Sequence, residues 1–110
     1  MKIKIKPLTV NQAWQGKRFK TPKYKAYEKE LLLLLPDNQE IPDDLHLRLY
    51  IDAGFSNKLS DIDNIAKPFI DVLQKKYGFN DSRIYELHLS KQIVKKGEEY
   101  ISFYIGVVGD

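Results

Sequence analysis

Ser60-Asp61-Ile62-Asp63-Asn64-Ile65-Ala66-Lys67, continued by Pro68-Phe69-Ile70-Asp71-Val72-Leu73 and closed by Gly78-Phe79-Asn80-Asp81, is the stretch on which the reading turns. Ile62, Ile65 or Ala66, Phe69, Ile70 and Leu73 recur at helical spacing, and Gly78 is a terminator that tolerates a left-handed backbone. Pro68 cannot donate to the carbonyl four residues back, so the helix is predicted to begin late, near Asn64 or Ile65, or to be kinked. Asp61 and Asp63 then stand at its mouth and Asp81 just past its end. Carboxylates in that number suit a hard cation such as Mg²⁺, which takes oxygen ligands and is commonly shared with substrate phosphates.

The same acids have a plainer explanation. Asp favours helix amino termini by capping and by interaction with the helix dipole, which would account for one of them. Each step of four residues advances about 40° beyond a full turn of helix, so Asp63, Lys67 and Asp71 are expected on one stripe, which could be no more than an exposed charge ladder. A DxD pair alone is weak. DxDN with a lysine four residues beyond the second aspartate and another acid past the helix is more specific.

Working outward, Leu45, Leu47, Leu49 and Ile51 alternate with His46, Arg48, Tyr50 and Asp52, predicting a half-exposed strand that runs toward the motif. His46 then reads as a surface side chain. Ala53 to Leu59 reads as a polar loop. Before the strand, Thr21-Pro22 is a helix start, with Thr21 as the capping oxygen and Pro22 where a missing amide hydrogen costs nothing. Tyr24, Tyr27, Leu31 and Leu34 or Leu35 form its buried stripe, and Pro36 ends it. Core packing explains those tyrosines better than base stacking does.

Lys2-Ile3-Lys4-Ile5-Lys6 predicts a short strand with the isoleucines on one face. Thr9 to Gly16 reads as a loop anchored by Val10 and Trp14, and Lys17 to Lys20 as a short extended piece. Arg83 to Val94 and Glu98 to Val108 are predicted as two strands of a hairpin joined through Lys95-Lys96-Gly97. These elements define an α+β class, a small mixed β-sheet with two main helices packed on it.

With 110 residues the chain suits a single domain, 1–110, whose modest core a second copy could enlarge. Hydrophobic content of 43% beside 30% charged residues suits a folded chain rather than disorder. The absence of cysteine excludes disulfides, thiolate metal sites and cysteine nucleophiles. The longest apolar run, Leu31 to Leu35, is too short to span a bilayer, and the charged segment Met1 to Lys6 lacks the apolar stretch of a signal peptide, so a cytoplasmic protein with no membrane partner is expected. Net charge is only +3, yet the first 30 residues carry Lys2, Lys4, Lys6, Lys17, Arg18, Lys20, Lys23, Lys25 and Lys29 against Glu28 and Glu30. A basic third beside an acidic pocket suits a polyanion held by cations, although solvated lysines are the default on any surface.

At these residues the chain resembles the RusA family of endodeoxyribonucleases, Holliday junction resolvases of bacteria and their phages. The segment from Asp61 to Lys67, then Phe69 to Leu73 and Gly78-Phe79-Asn80-Asp81-Ser82-Arg83-Ile84, carries the resemblance, and Pro7-Leu8-Thr9-Val10-Asn11 echoes an early pattern of the family. The resemblance implies a small α+β homodimer that binds four-way DNA junctions and cuts paired strands with Mg²⁺, with Mn²⁺ expected to substitute. It makes Asp61, Asp63 and Asp81 the metal-binding catalytic aspartates and Lys67 the catalytic lysine, with Asp71 and Asn64 in support. Here Asn80 precedes Asp81 where such relatives often carry two acids. DNA contacts are expected from Asn11, Lys17, Arg18 and Lys20 and from Lys91, Lys95 and Lys96. Two other readings share these residues: a non-catalytic DNA-binding dimer that retains the fold, and a metal nuclease for other branched or flap DNA.

Overall fold

A computed structural model of the chain describes residues 2–15, 19–43 and 46–109, the side chains of Asn11, Trp14, Gln15 and Phe19 excepted. In chain order the elements are β1 (Lys2–Ile3), α1 (Val10–Ala13), β2 (Trp14–Gln15), β3 (Phe19–Lys20), α2 (Pro22–Leu34), β4 (Leu47–Phe55), α3 (Ala66–Tyr77), β5 (Ile84–Ile93) and β6 (Tyr100–Val107). Two 3-10 turns, Ile62–Ile65 and Asp81–Arg83, bracket α3. The main sheet is mixed, with strand order β1-β6-β4-β5, and β2 and β3 form a separate two-stranded ribbon. The α+β expectation holds, with two helices of useful length.

β4 is an interior strand of the sheet, and every odd-numbered residue from Leu47 to Phe55 is buried. The alternation thus runs beyond Ile51, and Ala53 and Phe55, expected in a loop, continue it. Gly54 is required here by close approach: a Cβ would lie 2.3 Å from the Tyr100 ring that crosses it from β6. The Tyr100 hydroxyl donates to Asp52 Oδ2 at 2.7 Å, and Lys2 Nζ sits 4.2 Å from the ring centre.

The expected hairpin between residues 83–94 and 98–108 does not form. β5 pairs parallel to β4, while β6 pairs antiparallel to β4 on its other side and also takes β1. Burial explains the choice. β6 buries Tyr100, Ile101, Phe103 and Ile105 and needs neighbours on both sides, whereas β5 leaves Tyr85, Leu87 and Ile93 exposed, as an edge strand can. The link crosses the end of β4, where Val94 N donates to Phe55 O at 2.7 Å.

Both main helices lie on the face of the sheet marked by those odd-numbered residues. α2 is capped by Thr21, whose hydroxyl accepts from Tyr24 N at 3.1 Å, and it buries Tyr24, Tyr27 and Leu31. Leu35, not Leu34, completes that stripe: Leu34 is 43% exposed. Phe69 of α3 meets Phe103 edge-on with ring centres 5.5 Å apart, seating the helix on β6. Tyr77 Oη donates to Pro36 O at 2.7 Å and Lys75 Nζ to Glu28 Oε1 at 2.6 Å, tying α3 to α2.

Two further expectations are adjusted. The strand predicted over Lys2 to Lys6 pairs only at Lys2–Ile3, although Ile3 and Ile5 are buried and the lysines exposed as its alternation requires. Within the loop predicted over 9–16, Thr9 O accepts from Gln12 N and Ala13 N, closing the single turn α1. Lys17, Arg18 and Leu45 lie outside the described residues. His46 is exposed as expected and stacks on Tyr85 with ring centres 3.7 Å apart.

Candidate active site

The approach to the motif is tied down at both ends. Ser56 Oγ donates to Glu99 Oε2 at 2.8 Å, Leu59 N donates to Asn57 Oδ1 at 2.8 Å, and Lys91 Nζ of β5 donates to Ser60 O at 2.7 Å. Asp61 follows in extended conformation and leads into the turn Ile62–Ile65, which packs against α1, α3 and β5. Asn64 supports Asp61 locally, with Nδ2 3.4 Å from Asp61 Oδ2. Pro68 falls in the first turn of α3, where no carbonyl awaits its absent amide hydrogen, so the helix starts late rather than kinking.

Asp63 sits in a 3-10 turn ahead of α3 rather than within it, so the α-helical spacing behind the predicted stripe with Lys67 does not apply to it. Lys67 pairs instead with Asp71, Nζ to Oδ1 2.8 Å, at the i,i+4 step of α3. That hydrogen bond raises the lysine's pKa above its ordinary value; partial burial opposes the rise, and the charges of Asp71 and Asp81 add to it. Lys67 is therefore a fixed, protonated cation at neutral pH, with 57% of its side chain exposed.

Asp81 opens the second 3-10 turn, reached by a sharp reversal at Gly78, whose φ of 73° lies in the left-handed region. Gly78 N donates to Gln74 O at 2.8 Å and Asp81 N to Gln74 Oε1 at 2.9 Å. Gln74 has no role in the motif reading, yet positions 67, 71 and 74 share one helix face, a spacing legible in the sequence.

Asp61, Asp63 and Asp81 are exposed, and among the described residues none enters an ion pair. Among those residues no three acidic or histidine side chains are gathered to hold a cation. The donor chemistry nevertheless fits Mg²⁺, which is usually held by one or two carboxylates, retained waters and substrate oxygens rather than by a complete protein cage. Among the expected DNA contacts, Lys95 and Lys96 are exposed. Lys20 pairs with Glu28 at 3.2 Å and lies 4.8 Å from the Tyr24 ring centre, and Lys91 holds the Ser60 carbonyl. Lys17, Arg18 and the Asn11 side chain fall outside the description.

Exposed carboxylates thus lie at both ends of one helix on a mixed sheet, with a lysine between them in the chain. A family model described as endodeoxyribonuclease RusA matches residues 5–102, so the chain belongs to the RusA endodeoxyribonuclease family. Membership implies nuclease activity of the Holliday junction resolvase kind. No curated protein matches the chain. No helix among the described residues is long and apolar enough to cross a membrane.

Proposed function

We propose that this chain is a Mg²⁺-dependent, structure-specific endodeoxyribonuclease that acts as a homodimer and resolves four-way DNA junctions by paired symmetric cuts in recombination and repair. The observation that carries the reading is the family match over residues 5–102, joined to a protonated Lys67 that lies in the chain between the exposed Asp61, Asp63 and Asp81. Asp61, Asp63 and Asp81 would hold the cation, which when bound supplies charge neutralisation at the phosphate and an activated water.

The chain's own groups do the rest. Lys67 brings a point charge to the scissile phosphate, held upright by Asp71, where it favours the extra negative charge of the transition state. Lys95 and Lys96, together with Lys17, Arg18 and Lys20, attract the polyanion in a salt-dependent way. A two-fold dimer places equivalent sites on equivalent strands, which is the simplest route to two opposed cuts.

The test is a synthetic four-way junction. The purified protein with Mg²⁺ should yield two nicked duplexes, and Asp63→Asn should abolish cutting while binding the junction as well or better, since one charge repelling phosphate is gone. In mixed dimers of wild type and Asp63→Asn, single nicks should replace paired cuts. Undiminished turnover by Asp63→Asn removes the site assignment. Binding without metal-dependent cleavage by wild type supports the DNA-binding dimer instead, and preference for flaps over junctions supports the broader nuclease.

A further inference from the structure

The three backbone N–H groups of the turn Asp81–Arg83 are satisfied from two sources. Ser82 N donates to Asn80 Oδ1 at 2.8 Å and Arg83 N to Asn80 O at 3.0 Å, both local contacts. Asp81 N instead donates to Gln74 Oε1 at 2.9 Å, seven residues back on α3. Gln74 holds the intervening reversal by its main chain as well, since its carbonyl accepts from Gly78 N. Its Nε2 points the other way, 3.4 Å from Asp71 Oδ1, the same oxygen that anchors Lys67 at 2.8 Å. The amide orientation is set by its partners: oxygen meets an N–H donor and nitrogen a carboxylate, and a flip would oppose like groups at both ends.

We propose that Gln74 is a positioning residue that locks the Asp81 turn to the Lys67–Asp71 pair, so that the third carboxylate and the cation face one phosphate in fixed relation. The inference rests on the reading of Asp81 and Lys67 as parts of a nuclease site. Its physical basis is that Asp81 itself has little else to hold it, the neighbouring anchors being the buried Phe79 and the Arg83 side chain, which donates to Pro42 O and Asp43 O. A three-residue turn after a left-handed glycine has few hydrogen bonds of its own, and Asp81 is exposed, so packing does not fix it. A misplacement of about 1 Å at a reacting centre can cost on the order of a hundredfold in rate. A neutral amide can bridge both groups without altering the charge that the site presents to cation and phosphate.

Hydrogen exchange at the Asp81 amide, followed by NMR without metal or DNA, tests the lock directly in wild type, Gln74→Met and Gln74→Glu. Met keeps the length and loses all three side-chain bonds, the long one from Nε2 to Ile70 O at 3.5 Å included; Glu keeps an oxygen for Asp81 N–H but sets a carboxylate against Asp71. Exchange at Asp81 should be about tenfold faster in Gln74→Met, the size of one exposed hydrogen bond, and less accelerated in Gln74→Glu, whose oxygen still accepts from Asp81 N–H while its charge repels Asp71. The Ser82 and Arg83 amides and the melting temperature should stay as they are. With junction DNA, Gln74→Met should lower kcat about tenfold or more and leave KM unchanged, the pattern of an interaction that matters only in the transition state. Equal Asp81 exchange in wild type and Gln74→Met, or an unchanged kcat, overturns the proposal. So does faster exchange across 78–83 with a fall in melting temperature in both variants, which marks a purely structural role. If wild type fails to cut any branched DNA, the nuclease reading falls, and the Asp81 exchange still decides whether Gln74 holds the turn.

Discussion

Lys67 and Asp71, one turn apart on α3, form an ion pair of 2.8 Å in which the lysine is 57% exposed and the aspartate 20%. The pair sits on the surface, so its worth to folding is small. Its worth to the site lies in orientation.

Lys67→Ala should therefore leave stability within about 0.5 kcal/mol of wild type, the scale of an exposed i,i+4 pair. Junction cleavage should fall by about a hundredfold or more, as when one preorganised electrostatic group is removed. Chemical denaturation and single-turnover cutting, run on the same preparation, separate the two effects. A loss of stability matching the loss of rate would assign Lys67 to the scaffold.

Gly78→Ala should cost about 1 kcal/mol, because the left-handed region disfavours a Cβ. Among the described residues no atom lies within 4 Å of that Cβ, so the penalty is backbone strain and Gly78→Asn should recover part of it. Urea midpoints of the three proteins make the comparison.

Tyr27 is 6% exposed, and its hydroxyl has no hydrogen-bond partner among the described residues. Burial pushes its pKa far above the ordinary phenol value, with nearby Tyr24 adding to it. Removing an unsatisfied buried hydroxyl is favourable, so Tyr27→Phe should raise stability by up to about 1 kcal/mol. Calorimetric melting that shows a clear loss would mean that the hydroxyl is bonded in solution.

Glu28 links α2 to α3 through Lys75 and to β3 through Lys20. Burial opposes its ionisation, but the hydrogen bonds from Lys75 and Lys20 outweigh that and hold its pKa below the ordinary 4.5. A depressed pKa contributes stability that is present above the unfolded value and lost as pH falls through the folded one. The stability gap between wild type and Glu28→Gln should thus be constant near neutrality, under about 1 kcal/mol, and close below pH 4.5. Melting temperatures across an acid series check the sign.

Local chemistry was readable from residues alone: Thr21 and Pro22 announce α2, Tyr24, Tyr27 and Leu31 mark its inner face, and the odd positions of β4 give its buried side. Pairing was not. Alternation says which face a strand buries and nothing of which neighbour it takes, and the short link after Val94 suits a hairpin as well as a crossing over β4. The candidate site divides the same way. The types and spacing of Asp61, Asp63, Lys67 and Asp81 are what the proposed cation chemistry rests on, but the α-helical spacing does not carry to Asp63, which lies in a 3-10 turn. Gln74 shows itself only when the Asp81 turn folds back on α3.

The strand order also sets a schedule. β4, at the middle of the sheet, finds both its partners later in the chain, in β5 and β6, so at synthesis its hydrophobic residues Leu47 to Phe55 emerge with two bare edges. Parallel and distant pairing is slow to nucleate, and uncovered edges invite other chains. A ribosome-bound chain halted before β6 should be sticky, and the helices would have to shelter β4 until the last strand closes the sheet.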